Sequence, residues 1–251
     1  MSTLLLRLAA PMQSWGSASK FDRRYTEMEP TKSGVIGMLA CAMGIRREAS
    51  LDAFNDIKFG IRIDQRGDLG VDFQMAHEQT NSKNASSWVT HRYYLFDAVF
   101  LAGIEGESGL LAKIEWALHF PEFPIFLGRR SCPPAGQVSL GIRDKSLHDA
   151  LQEECWIASE AYQKRMKKRG ITTLEIVREA VCDEDTAYSV RDVPVTFSQK
   201  RRTYSFRNII REQVPLSNIC HGYEKDLVTN EVSTDHDPME LLEGNDVSIE
   251  S

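Results

Sequence analysis

Residues 3 to 8 read TLLLRL, and Leu4, Leu5, Leu6 and Leu8 leave no alternation of polar and apolar positions. A strand with one wet face alternates, so this run predicts a central strand covered on at least one face. A polar connection follows, with Gln13, Trp15 and a cluster from Lys20 to Tyr25. The stretch EPTKSGVIGMLACAMGIRRE then predicts a helix from Ser33 to Met43. Thr31 or Ser33 can cap it, Val35, Ile36, Leu39 and Met43 share one face, and Gly44 suits the left-handed position past its end. Gly34 and Gly37 each cost roughly 1 kcal/mol of helix stability relative to alanine, which implies that something approaches that face closely.

The next segments repeat the alternation of element types. IKFGIRID at 57 to 64 reads as a strand, QRGDLG as a turn, and the polar stretch 71 to 94 as an insertion or protruding hairpin. FDAVFLAGI at 96 to 104 is a buried strand, ESGLLAKIEWALHF at 107 to 120 a helix capped by Ser108, and QVSLGI at 137 to 142 a further strand. Between the last two, the apolar run before Gly128 in IFLGRRSCPP reads as the end of a buried strand. The order strand, helix, strand, strand, helix, strand is the split βαβ pattern of ferredoxin-like and RRM-like α+β folds. Downstream, ASEAYQKRMKK is predicted helical, TAYSVRDVPVTF a strand, and YSFRNII a further strand or edge element.

Composition separates two regions of opposite charge. The chain has 251 residues and a formal charge of -6, but residues 224 to 251 hold nine acidic residues and one basic one. The remaining 223 residues are slightly positive, and their cations cluster at Lys20, Arg23 and Arg24, at Arg129 and Arg130, in KRMKKR at 164 to 169, and in KRRTYSFRNIIR at 200 to 211. Such runs are commonly solvated faces, yet several in one acidic protein point to an anionic partner. The acidic tail has little hydrophobic pattern and is expected to be mobile. No apolar stretch reaches membrane-spanning length, Arg7 interrupts any export signal early, and the expected address is the cytoplasm. Five widely spaced cysteines without a CxxC pair suggest neither disulfides nor a zinc site, and no metal or cofactor is expected.

The chemistry available is narrow. GxxxxGK[ST], GxGxxG, GxSxG and HExxH do not occur, which leaves nucleotide hydrolysis, dinucleotide redox chemistry, serine hydrolysis and zincin chemistry without support. THRYYLF at 90 to 96 gathers His91, Arg92, Tyr93 and Tyr94, groups able to deprotonate a ribose hydroxyl and steady a phosphorane. The preferred reading has His91, Tyr93 and Tyr94 packed at the base of the insertion, with Arg92 paired to a phosphate or carboxylate. Phosphate binding without chemistry accounts for more features. Gly128, Arg129, Arg130 and Ser131 combine forked guanidinium donors with a backbone that a phosphate can approach. Lys32 stands at a helix N-terminus, where its charge opposes the macrodipole, a small cost that either a bound anion removes or exposure to solvent makes slight. Lys200, Arg201 and Arg202 precede Tyr204 and Phe206, cations beside rings that can stack single-stranded RNA or face a core.

Five blocks, LRLAAPMQSWG, PTKSGVIGMLACAMGI, HRYYLFDAVF, FLGRRSCPP and VRDVPV, occur in order between residue 4 and about 210. Together they resemble the CasD family, the Cas-five-type RAMP subunits of type I-E CRISPR Cascade. The resemblance implies an RRM-like palm over 1 to 150 with an inserted β-hairpin thumb at 71 to 94. A smaller C-terminal β-rich extension over 151 to 223 and the acidic tail at 224 to 251 complete the expected organisation. It implies a subunit that holds the 5′ handle of mature crRNA and contacts the backbone subunit CasC and the large subunit CasA. A separate subunit, CasE, cuts the precursor, so the expected role is binding and not catalysis. Carried onto this chain, the RNA-binding loop falls on Gly128, Arg129, Arg130 and Ser131, and the helix-start block on Thr31, Lys32, Ser33 and Gly34. A related subunit of type I-C systems is itself a processing endoribonuclease, which keeps a metal-independent cleavage by His91, Tyr93 and Tyr94 as the alternative. The thumb tip shows few matches, the segment after about Gly222 has no recognisable counterpart, and the first strand lacks the stacking aromatics of a true RRM.

Overall fold

Leu4, Leu6 and Leu8 of the first strand, β1 (Ser2–Ala9), are buried in one core, while Leu5 is buried in a second core on the opposite face. That is why the run lacks alternation: β1 has no wet face. The computed structural model describes residues 2–16, 22–78, 87–181, 184 and 186–219. The tip of the insertion, Lys20 and the acidic tail lie outside the described residues.

The helix α1 (Lys32–Ala42) starts one residue before its predicted position, and Thr31 caps it by accepting from Gly34 N. Gly34 is required by packing, because a Cβ there would lie 2.8 Å from Cε3 of Trp15. Chain order then gives β4 (Lys58–Gln65), β5 (Asp68–His77), β6 (Ser87–Phe96), β7 (Val99–Gly106), α2 (Ser108–His119) and β8 (Ser139–Arg143). The cap of α2 is Glu107 and not Ser108: its two carboxylate oxygens accept from Gly109 N and Leu110 N, both at 2.8 Å. One carboxylate satisfies two orphan amides, which a hydroxyl one residue later does not.

The strands β4, β7, β1 and β8 lie side by side in that order, each antiparallel to its neighbour. This is the ferredoxin-like palm, with α1 and α2 packed on one face. The sheet continues beyond the palm. Three further strands, β9 (Thr173–Glu179), β10 (Tyr188–Thr196) and β11 (Thr203–Pro215), extend it through the pairing of β9 with β4, giving the order β10-β11-β9-β4-β7-β1-β8. Residues after 150 thus add to the palm sheet. Hydrophobic pattern predicts no strand where β9 forms, and β11 runs well past YSFRNII.

The opposite face of the sheet is covered by α3 (Leu147–Glu153), with Leu147, Leu151 and Trp156 packed on Leu5 and Leu101. The next helix in the chain, α4 (Glu160–Lys168), contributes Met166 to the same core. Arg62 of β4, fully buried, locks this cover in place. Its Nε and Nη2 donate to the Asp64 carboxylate at 2.6 and 2.9 Å, and its remaining donors reach the carbonyls of Leu151, Glu154 and Cys155. All the polar hydrogens of a buried guanidinium are thereby used, which is the condition for burying it.

A smaller sheet carries the thumb. The strands β5 and β6 form an antiparallel hairpin, matching the predicted insertion, and β6 also pairs with β2 (Met12–Gln13) and, in parallel, with β3 (Arg23–Arg24). The apolar residues before Gly128 are not a strand: residues 121–138 are irregular. Leu127 is still fully buried, and its backbone is satisfied by Cys132 O at 2.7 Å and Ser14 N at 3.2 Å.

Candidate nucleic-acid interface

The loop after Leu127 is shaped by its glycine. Gly128 has φ +85°, a left-handed conformation, and a Cβ there would stand 1.7 Å from the carbonyl oxygen of Ser14. Only glycine permits both the torsion and the approach. A turn closes the loop, with Cys132 N donating to Arg129 O at 2.9 Å. Burial pushes the Cys132 thiol up, so the sulfur acts as packing and not as a nucleophile.

The two arginines divide the work. Arg129 is half-buried: Nη1 donates to Tyr93 O at 3.1 Å, Nη2 donates to Arg24 O at 2.7 Å and Tyr25 O at 3.4 Å, and Cζ lies 4.7 Å from the centre of the Tyr94 ring. It therefore ties the loop to β6, to the end of β3 and to Tyr25 just after it. Arg130 is exposed and makes no hydrogen bond or ion pair among the described residues. Ser131 is exposed, with its hydroxyl 3.4 Å from that of Tyr94. Gly128 N is already engaged by Phe126 O at 3.1 Å, so the glycine's contribution is loop shape and not amide donation to a ligand.

Around this loop the fold assembles groups that sequence spacing does not connect. Arg23 and Arg24, both exposed, pair with His91 and Arg92 in register. The rings of Tyr25 and Tyr93 stack with centroids 4.9 Å apart. Arg92 is half-buried, and its Nε has no hydrogen-bond partner among the described residues. The cluster of cations at 23 and 24 is visible in the sequence, but its parallel pairing to β6 is not. Alternation along β5 leaves Leu69, Val71, Phe73 and Met75 on one side of the thumb, each more than half exposed.

Other predicted contacts lie elsewhere. Lys32 is buried, with Nζ donating to Ile57 O at 2.7 Å and Glu179 Oε1 at 2.8 Å. The anion at the start of α1 is the protein's own: Lys32 N donates to Asp192 Oδ2 at 2.8 Å. This corrects the reading of Lys32 as a phosphate ligand, because its charge is matched internally. Ser33 is likewise buried and Gly34 faces Trp15, so the helix-start block is packing. Lys200, Arg201 and Arg202 are exposed in the turn between β10 and β11, at the end of the sheet farthest from β8, and Tyr204 is half-buried beside them.

The groups of the alternative catalytic set do not converge. His91 and Tyr93 share one side of β6, whereas Tyr94 points to the other and is 2% exposed beneath Arg129. Among the described residues, no three His, Cys, Asp or Glu side chains are grouped to hold a metal.

Comparison with known proteins matches this architecture. The family model described as CRISPR-associated protein (Cas_Cas5) matches residues 3–210. The "CRISPR system Cascade subunit CasD" of Escherichia coli (strain K12) is 31% identical over 158 residues, 56% of this chain and 70% of the relative. A chain of a solved "CRISPR RNA-guided surveillance complex" superposes with a TM-score of 0.70 at 31% identity, covering 88% of this chain and 95% of that one. A further solved structure, "Crystal structure of Cas protein", gives a TM-score of 0.69 at 34% identity over 88% of this chain and 98% of that chain. With the palm, the inserted hairpin and the glycine-arginine loop all in place, the chain belongs to the Cas5 family of CRISPR-associated proteins, in its CasD type.

Proposed function

We propose that this chain is the crRNA-binding subunit of a type I-E Cascade, holding the 5′ handle of the mature crRNA at one end of the complex without cutting it. The observation that carries the reading is the loop itself. Arg129 is spent on three backbone carbonyls and holds the loop against the thumb base, which leaves Arg130 exposed on the same loop, next to the segment of Arg23 and Arg24. An unmatched guanidinium on a pre-shaped loop is suited to a phosphate, which it can grip through two parallel hydrogen bonds. The apolar side of the thumb, Leu69 to Met75, supports contact with a neighbouring backbone subunit of the CasC kind, and the large subunit CasA is the second protein partner we assign.

The test separates the two arginines. Arg130→Ala is expected to weaken binding of handle RNA while leaving the melting temperature unchanged, and Arg129→Ala to weaken binding and lower the melting temperature together. Full handle retention in Arg130→Ala and in Arg130→Ala with Arg23→Ala would sink the assignment. Incubation of the pure protein with repeat RNA in EDTA is expected to leave the RNA intact, since Tyr94 lies on the wrong side of β6 to act with His91 and Tyr93.

A further inference from the structure

A cavity of about 710 Å³ opens on the α1 side of the outer strands, between residues 27–31 and the strands β9, β11 and β10. It falls within the ~300–1,000 Å³ range of small-ligand sites. Its floor is apolar, built by Phe59, Ile61, Val177 and Ile209, while Arg191, Arg202, Arg207 and Arg211 line its sides with Tyr204 and with the carboxylates of Glu27, Glu29 and Asp192.

The charges divide into matched and unmatched sets. Arg207, whose side chain is nine-tenths buried, is held by the Asp192 carboxylate at 2.7 and 2.8 Å, and Arg211 is held by Glu29 and Glu175. These pairs neutralise one another and fix the wall, although Arg207 Nη1 has no hydrogen-bond partner among the described residues. Arg191 and Arg202 are different: both are exposed, and neither has a carboxylate partner among the described residues. Arg191 Nε donates to the Tyr204 carbonyl at 3.2 Å and its Cζ lies 5.8 Å from the centre of the Phe206 ring, which sets the guanidinium beside β11. The site thus offers two guanidinium groups that no carboxylate of the described residues ion-pairs, the Tyr204 ring and an apolar floor.

That combination fits a nucleotide better than an acidic peptide, which would use the cations but neither the ring nor the floor. We propose that the cavity holds one nucleotide of a single-stranded RNA, its base stacked on Tyr204 and its phosphate gripped by Arg191 and Arg202. A short stretch of chain links the cavity rim to the contacts of the loop at 128–131. The Arg24 carbonyl accepts from Arg129, and Met28, four residues on, lines the cavity, so at most about 14 Å of extended chain separates the two. The proposal rests on the RNA-binding reading above and names its second subsite.

The experiment uses the full chain and a fluorescent handle RNA, with one 4-thiouridine at successive positions. Wild type should cross-link at one RNA position to a peptide within residues 188–211. Tyr204→Leu should weaken binding by roughly tenfold, in the range that loss of base stacking produces, and Tyr204→Phe should restore it. Arg191→Ala with Arg202→Ala should weaken binding without shifting the melting temperature. Normal affinity in both sets, with no cross-link in 188–211 while Arg130→Ala still reduces binding, would overturn the cavity site and leave the loop standing. Loss of RNA binding by wild type itself would overturn the RNA reading and this site together. Two further results count against the cavity as an RNA subsite: binding of free 5′-AMP that Tyr204→Leu abolishes while RNA affinity is unchanged, and competition by polyglutamate that is indifferent to the ring.

Discussion

Gly128 and Lys32 show how differently two conspicuous residues of this chain are used. Both stand in blocks that look like phosphate sites, but only one shapes an exposed loop. For Gly128→Ala, a left-handed torsion and a Cβ 1.7 Å from Ser14 O act together, and a loss of more than about 2 kcal/mol is expected, measured by denaturant unfolding. RNA binding should fall with it, since the loop must move off Ser14, just past β2. Lys32 sits inside, on Glu179 and Ile57 O. Lys32→Ala should cost about 2 kcal/mol of stability, because it leaves the Ile57 carbonyl without its donor and the part-buried Glu179 carboxylate with only Arg207, at 3.7 Å, as its cation among the described residues. A Lys32→Ala protein that melts normally but binds RNA poorly would contradict this placement. Sequence showed the lysine at a helix start correctly and could not show Asp192 arriving from β10 to accept from its amide, because that contact spans 160 residues.

At the scale of elements, the decisive arrangement is the cover over the sheet. A true RRM stacks RNA bases on its open face, and here α3 and Trp156 close that face over Leu5 and Leu101. β1 lacks the stacking aromatics of a true RRM, and α3 covers the face on which they would stand. Glu105 of β7 helps hold this cover, accepting from Lys58 Nζ at 2.6 Å and from Leu147 N, at the start of α3, at 2.7 Å. Burial alone would raise its carboxyl, but those hydrogen bonds outweigh it and hold the group below its usual range. A depressed folded value means that the stabilisation is present above the unfolded carboxylate range and is lost as pH falls through the folded one. The melting temperature should therefore drop below about pH 4, and Glu105→Gln should flatten that part of the profile while lowering stability at pH 7. An unchanged profile in Glu105→Gln would show that the anchoring of α3 does not depend on the charge.

For the whole molecule, net charge is a poor guide to its partner. The chain carries -6 overall, yet its first 223 residues are slightly positive, and their cations stand in runs, of which the pairing of β3 with β6 brings Arg23 and Arg24 beside Arg92. RNA affinity should fall steeply with salt in spite of the acidic composition, because each neutralised phosphate releases counterions. Removing Arg130 should reduce the slope of log affinity against log salt by about 0.7, the value of one single-strand phosphate contact. An unchanged slope in Arg130→Ala would mean that its charge meets no phosphate.

The sequence by itself determined the palm. Hydrophobic period, helix caps and turn residues are local properties, and they located β1, α1, β4, the thumb hairpin, β7, α2 and β8 to within a few residues. Motif blocks likewise pointed to the family and to the loop at 128–131. Tertiary structure alone decided that β9, β10 and β11 extend the same sheet, that Arg129 braces the loop while Arg130 is exposed, and that Tyr25 stacks on Tyr93. It alone matched Lys32 with Glu179 and enclosed the arginine-lined cavity beside Tyr204. The physical reason is sequence separation: periodicity records which side of an element is buried, whereas ion pairs, stacked rings and cavity walls depend on which distant elements meet there.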